Sequence, residues 1–131
     1  MTTLLAVAAV GEAATGLALL VYPPIVVRLL FGAEIAGAGV VMSRIAGISL
    51  LALGVGCWPG QDAGGRAECA LRAMLSYSLL ATLYLGYLGA VGEWAGILLW
   101  PAVGVHAAVT ILLARAWTAK SPSSSPASRR R

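Results

Sequence analysis

Long apolar stretches alternate with short polar stretches along this chain of 131 residues. Four apolar windows, over residues 4–22, 36–57, 73–91 and 95–114, have roughly the length of about 20 residues that a helix needs to cross a bilayer. None of these windows alternates with the two-residue period of a strand, and a chain in lipid must satisfy its backbone hydrogen bonds internally. The pattern therefore predicts an all-α fold, a bundle of four transmembrane helices.

The segments between the windows predict three kinds of connection. The first, IVVRLLFGAE, follows Pro23 and Pro24 and is too short to cross a membrane. We expect it to lie as a short segment in the membrane interface, with a plain loop as the alternative. The second, WPGQDAGGRAE, is polar and rich in glycine, which is typical of a solvated loop. The third, around Glu93 and Trp94, is expected to be a tight turn.

The end of the chain differs from the rest. Residues 118–131 form a polar, basic tail that includes SPSSSPASRRR, and this low-complexity composition predicts disorder. The domain organisation is therefore a transmembrane domain over residues 1–117 and a tail over 118–131. A cleaved signal peptide is the alternative reading of the first window. No Lys or Arg precedes its long apolar run, which favours a permanent helix.

The composition supports a membrane location. Hydrophobic residues make up 60% of the chain and charged residues only 11%, whereas soluble domains carry about 25% charged residues. The net charge of +4 could suggest nucleic-acid binding, but the basic residues lie beside the ends of apolar windows. That placement is typical of a topology signal or a contact with anionic lipid. The lipid bilayer is therefore the expected partner, and nucleic acid is not.

Charge also predicts orientation. Four crossings bring both termini and the segment 58–72 to one side of the membrane. Arg28 lies on the other side, and most of the basic residues lie on the first: Arg66, Arg72, Arg115, Lys120, Arg129, Arg130 and Arg131. Because basic loops remain in the cytoplasm, we expect a multi-pass protein of the bacterial cytoplasmic (inner) membrane with cytoplasmic N- and C-termini.

Small residues at four-residue spacing predict where helices approach one another closely. The first window carries Gly16 four residues after Glu12, which in turn follows Ala8. Similar stripes occur in the second and third windows, as Gly39, Ser43 and Gly47, and as Ser78, Thr82 and Gly86. Stripes of this kind mostly hold helices together, and in a minority of proteins they line a pathway.

Ionisable side chains inside membrane spans are costly and suggest function by default. Glu12, Arg44 and His106 interrupt the apolar windows, and Ser78 and Tyr84 lie nearby on the third. Counted at 1.5 Å per residue, Glu12 and His106 both lie about 12 Å from the cytoplasmic ends of their helices, but Arg44 lies about 20 Å from its own. A Glu12–His106 contact is thus expected if the first and fourth helices are adjacent. A Glu12–Arg44 pair requires Arg44 to fold back or water to bridge the gap.

Motifs for catalysis or metal binding are missing from the sequence. Cys57 and Cys69 flank the 58–72 segment, but there is no C-x-x-C motif and no Cys beside a His. Asp62, the chain's one Asp, lies in the predicted loop, so a Ser-His-Asp set inside the bundle is excluded. We expect no enzyme activity, no metal and no cofactor.

Two resemblances bear on function. The segments TGLALLVYPPIVVRLLFG and SRIAGISLLALGVGCW resemble small uncharacterised four-span bacterial membrane proteins near the DoxX-like families. That resemblance implies a four-helix bundle in the inner membrane, sometimes tied to respiratory or redox partners, with no catalytic residue to transfer. The segment VGEAATGLALL is similar to the first span of the small multidrug resistance transporters, which implies that Glu12 is a proton and cation site.

Three functions follow as hypotheses. The leading one is a non-enzymatic accessory or scaffold component in which the buried polar residues fix helix register. The second is a proton-coupled small-molecule transporter that uses Glu12. The third is a subunit of a membrane redox complex that contacts quinone or lipid through Arg44, His106 and Tyr84. A homo-oligomer or a membrane-complex partner is the expected association.

Overall fold

The computed structural model describes residues 2–59 and 65–120. These residues form helices and connections without any strand, and the helices are α1 (Thr2–Val21), α2 (Pro23–Phe31), α3 (Ala38–Gly56), α4 (Gly65–Val91) and α5 (Leu99–Lys120). Within this part of the chain, four helices are long and apolar enough to cross a membrane, namely α1, α3, α4 and α5. The prediction of an all-α fold with four long helices is confirmed.

The short helix α2 occupies the place predicted for a segment between the first two spans. Pro23 and Pro24 fill its first turn, where a missing backbone N–H costs nothing because that group would have no partner inside the helix. The helix ends at Gly32, which adopts a left-handed conformation with φ of 70° and donates its amide to the carbonyl oxygen of Arg28. Only glycine adopts this conformation without steric cost, so Gly32 sets the end of α2.

Helix α4 begins earlier than the apolar window predicts. Its first turns, from Gly65, carry charged residues that were expected to belong to a loop. The carboxylate of Glu68 accepts a hydrogen bond from the guanidinium of Arg72 one turn later, and an acidic residue in the first turn is favourable to the helix dipole. Helix formation therefore continues beyond the apolar part. The rest of the predicted loop, residues 60–64, lies outside the described residues.

Helix α5 begins at Leu99, later than the predicted start at residue 95. The amides of Gly96 and Leu98 donate instead to the carbonyl oxygens of Leu30 and Leu29 at the end of α2, at 3.2 and 2.9 Å. These bonds hold residues 96–98 outside α5 and satisfy carbonyl groups that the end of a short helix would leave free. At its other end α5 continues to Lys120. The remainder of the predicted tail, 121–131, lies outside the described residues.

The long helices are arranged as two hairpins. Helix α1 packs along α3, and α4 packs along α5, whereas the two hairpins make few contacts with each other. Gly16 lies against Gly47, and Ala9 lies against Gly54, so α1 and α3 are antiparallel. Below, "first hairpin" means α1 with α3 and "second hairpin" means α4 with α5.

A compact group of buried apolar side chains joins the hairpins at the end of the bundle where α1 begins. Its members come from both hairpins, and they are Leu5, Ala8, Ala9, Cys57, Ala70, Leu71, Met74 and Leu113. Elsewhere the helices expose large apolar side chains, among them Val7, Val55 and Val105. An apolar outer surface around a small apolar core is the arrangement that a bilayer accommodates. The chain is accordingly a multi-pass integral membrane protein.

Candidate functional site

Glu12 lies on α1 one turn after Ala8, where the apolar core ends, and its side chain points toward the second hairpin. Its Oε1 atom is 3.5 Å from Nε2 of His106 on α5. Both side chains are largely enclosed, with 12% of the Glu12 side chain and 18% of the His106 side chain exposed. The structure thus brings together two ionisable residues that residue counting along the sequence had placed at the same depth in the membrane.

The hydrogen bonds of His106 fix the orientation of its ring. Nδ1 lies 2.8 Å from the carbonyl oxygen of Ala102, one turn earlier in α5. A carbonyl oxygen can only accept, so Nδ1 carries a proton and donates it. The other nitrogen, Nε2, is fully buried and has no hydrogen-bond partner of ordinary length among the described residues. Nε2 is consequently the ring atom available to Glu12.

Tyr77 on α4 completes the group. Its ring meets the imidazole of His106 edge to face, with ring centroids 5.9 Å apart and an angle of 61° between the planes. Glu12, Tyr77 and His106 are called the polar junction below. They come from three helices and link the first hairpin to both helices of the second.

Ser78, beside Tyr77 on α4, is buried with 1% of its surface exposed. Its hydroxyl oxygen has no hydrogen-bond partner among the described residues. Its carbonyl oxygen accepts a hydrogen bond from the hydroxyl of Thr82 at 2.7 Å. The sequence-based prediction that Ser78 belongs to a buried polar set stays a prediction, because its side chain is buried without being tied to Glu12 or His106.

Arg44 and Tyr84 lie away from the polar junction. Arg44 is exposed on α3, and no carboxylate of the described residues forms an ion pair with it. The antiparallel register explains why Glu12 does not reach it. Since Gly16 meets Gly47, Glu12 is level with residue 51 of α3, and Arg44 lies about 10 Å farther along the helix. Tyr84 is 63% exposed.

The residues predicted to pack helices together differ in whether they lie at a close helix contact. Gly16 and Gly47 lie in direct contact between α1 and α3. A Cβ atom on Gly39 would meet Ile35 of its own connection, and a Cβ atom on Gly86 would meet no described atom within 4 Å. Ser43 is half-buried on α3, and Thr82 bonds within α4. Close helix approach is therefore seen at one member of the predicted second-window stripe.

Sequence reasoning missed Tyr77 and Gly54. Tyr77 follows Met74 by three residues and so continues the buried face of α4, but an aromatic residue in an apolar helix resembles ordinary packing. Gly54 follows Gly47 by seven residues, which is two turns on the same face. A search at seven-residue spacing, in place of the four-residue spacing, would have found the contact face of α3.

A second feature lies near the end of the bundle where α1 begins, between α3 and α4. A cavity of about 250 Å³ is open to the surroundings there and is lined by Ala52, Leu53, Gly56, Cys57, Cys69, Ala70 and Ala73. The thiol of Cys57 is buried and donates to the carbonyl oxygen of Ala70 at 3.5 Å. Burial raises the pKa of this thiol, with smaller contributions from Cys69 and Glu12. Cys69 itself is exposed.

The polar junction can hold a proton and can hold three helices in register, and no other chemistry is evident from its atoms. Among the residues that the structure describes, no three His, Cys, Asp or Glu side chains come together as metal ligands would. Of the three residues in the redox hypothesis, His106 belongs to the polar junction, whereas Arg44 and Tyr84 are exposed on α3 and α4. Comparisons with protein-family models, with curated proteins and with solved structures find no match to this chain.

Proposed function

We propose that this chain is a non-enzymatic accessory or scaffold component of the bacterial cytoplasmic (inner) membrane. In this proposal the polar junction determines how the two hairpins meet. One observation carries it: Glu12 of the first hairpin lies 3.5 Å from His106 of the second, and the two hairpins as a whole share far fewer contacts than the helices within each hairpin. The four long apolar helices support the membrane location.

The energetics of a membrane interior favour such a role. Helices in lipid are not driven together by the hydrophobic effect, so close packing and polar links decide which faces meet. Within the first hairpin, glycines provide the close packing. Between the hairpins, the polar junction provides a directional link worth on the order of 1 kcal/mol. Its enclosure, with most of both side chains covered, suits a permanent structural contact.

The orientation proposed here has both termini in the cytoplasm. Arg72, near the start of α4, and Arg115, near the end of α5, lie at the same end of the second hairpin, where the guanidinium of Arg72 stacks 4.9 Å from the ring centre of Trp117. Basic residues remain preferentially on the cytoplasmic side. The resemblance to DoxX-like proteins adds an association with a respiratory or redox complex, or with further copies of the chain, as the setting in which a scaffold would act.

A double-mutant cycle tests the scaffold proposal. Glu12→Met and His106→Leu each remove one polar partner, and we expect each to lower the free energy of unfolding in detergent by about 1–3 kcal/mol, because each leaves a buried polar group without its partner. The double variant removes both partners together. It should recover about 1 kcal/mol relative to the sum of the single changes.

The control for this cycle is Tyr84→Phe, which changes an exposed hydroxyl on α4 and should leave the unfolding free energy within about 0.5 kcal/mol of the unaltered protein. Strict additivity of Glu12→Met and His106→Leu would contradict the proposal, because it would mean that the two residues act independently.

A second candidate function is proton-coupled transport of a small molecule, which is favoured by the placement of an acid against an imidazole inside a span. It is tested in liposomes that carry a pH gradient, with tetraphenylphosphonium as the probe cation. Uptake that depends on the gradient and is lost in Glu12→Gln, while that variant remains folded, would support transport. Equal uptake by the unaltered protein and by Glu12→Gln would exclude Glu12 as the coupling group for this cation.

A further inference from the structure

We propose that Glu12 and His106 form a binding site for a single proton, which the two side chains hold between them. This inference goes beyond the scaffold function, which requires only that the two residues touch. It rests on the positions of three atoms: Nδ1 of His106, Nε2 of His106 and Oε1 of Glu12. Each protonation state of the pair places different groups at the 3.5 Å contact, and only the states with one shared proton fit.

The first step is the tautomer of the imidazole. Nδ1 donates to the carbonyl oxygen of Ala102 at 2.8 Å. In a neutral imidazole one nitrogen donates and the other accepts, so a neutral His106 presents a bare lone pair at Nε2. That atom is buried and faces Glu12. Whether a proton lies between the two residues is therefore decided by Nε2 and Oε1 alone.

The state without a shared proton is unfavourable. An ionised carboxylate would then face the lone pair of Nε2, so that two acceptors meet at 3.5 Å with no donor between them. The carboxylate would also be a largely enclosed charge without a charged partner, because His106 is then neutral, and burial of an unpaired charge is costly. One proton between Oε1 and Nε2 removes both problems, because it supplies the missing donor and makes the pair neutral overall.

The state with two protons is also unfavourable. A protonated carboxyl group beside an imidazolium ring would leave a positive charge inside the bundle without a counter-ion. Tyr77 on α4, whose ring contacts His106, and Cys57 at the end of α3, buried in the same apolar core as Ala8, are nearby titratable groups on other helices. An ordinary phenol or thiol is neutral at pH 7, so neither provides the negative charge. One proton shared by the pair is therefore favoured over none and over two.

Two arrangements place one proton between the two residues, and either one satisfies the proposal. The proton is either on Glu12, as a carboxyl group that donates to Nε2, or on His106, as an imidazolium that donates to the carboxylate. In both, the pair is a unit whose protons cannot be assigned to one residue in isolation. The ligand of the site is a proton, held within a membrane-spanning bundle beside Tyr77, whose ring packs edge to face on His106.

Magnetic resonance can count this proton because His106 is the chain's one histidine. The full protein is reconstituted in lipid bilayers with ¹⁵N-labelled histidine, and both ring nitrogens are measured at pH 7. Infrared spectroscopy of the same sample reports the carboxyl group of Glu12, identified by the band that disappears in Glu12→Gln. We expect either a cationic ring with an ionised Glu12, or a neutral ring protonated at Nδ1 with a protonated Glu12.

Three results would overturn the proposal: a neutral ring beside an ionised Glu12, a ring protonated at Nε2 alone, or a cationic ring beside a protonated Glu12. The variant Glu12→Gln provides a further check, because its amide donates to Nε2 without exchanging a proton. Its ring should be neutral and protonated at Nδ1 at pH 7, and a cationic ring there would also contradict the proposal.

Glu93→Gln is the matched control, since it alters an exposed acid in the connection before α5, and it should leave both spectra unchanged. These measurements report protonation and not stability. A failed proton count therefore leaves the double-mutant cycle as a separate test of the scaffold function.

Discussion

Gly16 of α1 and Gly47 of α3 touch through their backbones. A Cβ atom on Gly16 would lie 2.6 Å from the carbonyl oxygen of Gly47, and a Cβ atom on Gly47 would lie 2.7 Å from the carbonyl oxygen of Gly16. The contact recurs two turns along α3, where a Cβ atom on Gly54 would lie 2.6 Å from the carbonyl oxygen of Ala9. No side chain larger than hydrogen fits at these positions without separating α1 from α3.

We therefore expect Gly47→Ala to lower the free energy of unfolding in detergent by about 1–3 kcal/mol, because the added methyl group forces the two helix backbones apart. The matched control is Gly11→Ala in α1, where a Cβ atom would meet nothing within 4 Å. That change should be neutral or stabilising by about 0.5–1 kcal/mol, since alanine favours a helix over glycine. Equal effects of the two substitutions would show that α1 and α3 do not approach as closely as described.

The sequence predicted the number and type of the long helices because each carries an apolar run of spanning length. A short segment was also expected between the first two spans, and in the structure it forms the helix α2. Helix ends were predicted less well, and the reasons are specific. Glu68 and Arg72 extend α4 into a stretch whose polarity indicated a loop, and hydrogen bonds to α2 hold Gly96 outside α5. Both effects depend on hydrogen bonds between particular residues, which a hydropathy pattern alone does not predict.

The candidate site was partly predictable for a related reason. Counting residues along each span placed Glu12 and His106 at one level, and the structure brings them together. The same counting placed Arg44 at a different level, and the antiparallel register keeps Arg44 away from Glu12. Tyr77 could not be singled out, because depth does not specify which way a side chain faces. The direction in which a side chain points is set by how the helices pack. On α3, the residues that contact α1 most closely, Gly47 and Gly54, are seven residues apart.

The bonds between the 96–98 segment and α2 lead to a second prediction. A Cβ atom on Gly96 would collide with the carbonyl group of Leu29, so Gly96→Ala should push the segment off the end of α2. We expect faster hydrogen exchange at the amides of Gly96 and Leu98, which donate to α2, and loss of about 1–2 kcal/mol of stability. Gly104→Ala in α5 is the control, because its Cβ atom would meet no described atom within 4 Å. Unchanged exchange at Leu98 in Gly96→Ala would argue against the docking.

The two cysteines should differ strongly in reactivity. Cys57 is buried, and its burial raises the pKa of the thiol, which keeps the reactive thiolate scarce until the pH rises further than for an ordinary thiol. Cys69 is exposed. At pH 7.5 we expect N-ethylmaleimide to modify Cys69 faster than Cys57, because burial both hides the Cys57 thiol from the reagent and raises its pKa.

The variants Cys57→Ala and Cys69→Ala isolate each thiol for this measurement, which is made by mass spectrometry over time. As the pH is raised from 7 to 9, labelling of the Cys57 thiol in Cys69→Ala should accelerate without reaching the rate of Cys69 at the same pH. Rapid labelling of Cys57 at pH 7 would mean that the end of α3 opens readily to the surroundings.

Ser78 distinguishes a structural bundle from one that binds a ligand beside α4. Its hydroxyl is buried without a hydrogen-bond partner among the described residues, and such a group costs about 1–3 kcal/mol of desolvation. If the hydroxyl has no further role, Ser78→Ala removes that cost. The free energy of unfolding of Ser78→Ala should then equal that of the unaltered protein or exceed it by up to about 1 kcal/mol.

The control is Thr82→Val. This change removes a hydroxyl that does donate a hydrogen bond, to the carbonyl oxygen of Ser78, and it keeps the shape of the side chain. A loss of more than about 1 kcal/mol in Ser78→Ala alone would mean that the hydroxyl binds a partner of its own in the membrane, and would make Ser78 part of a ligand site.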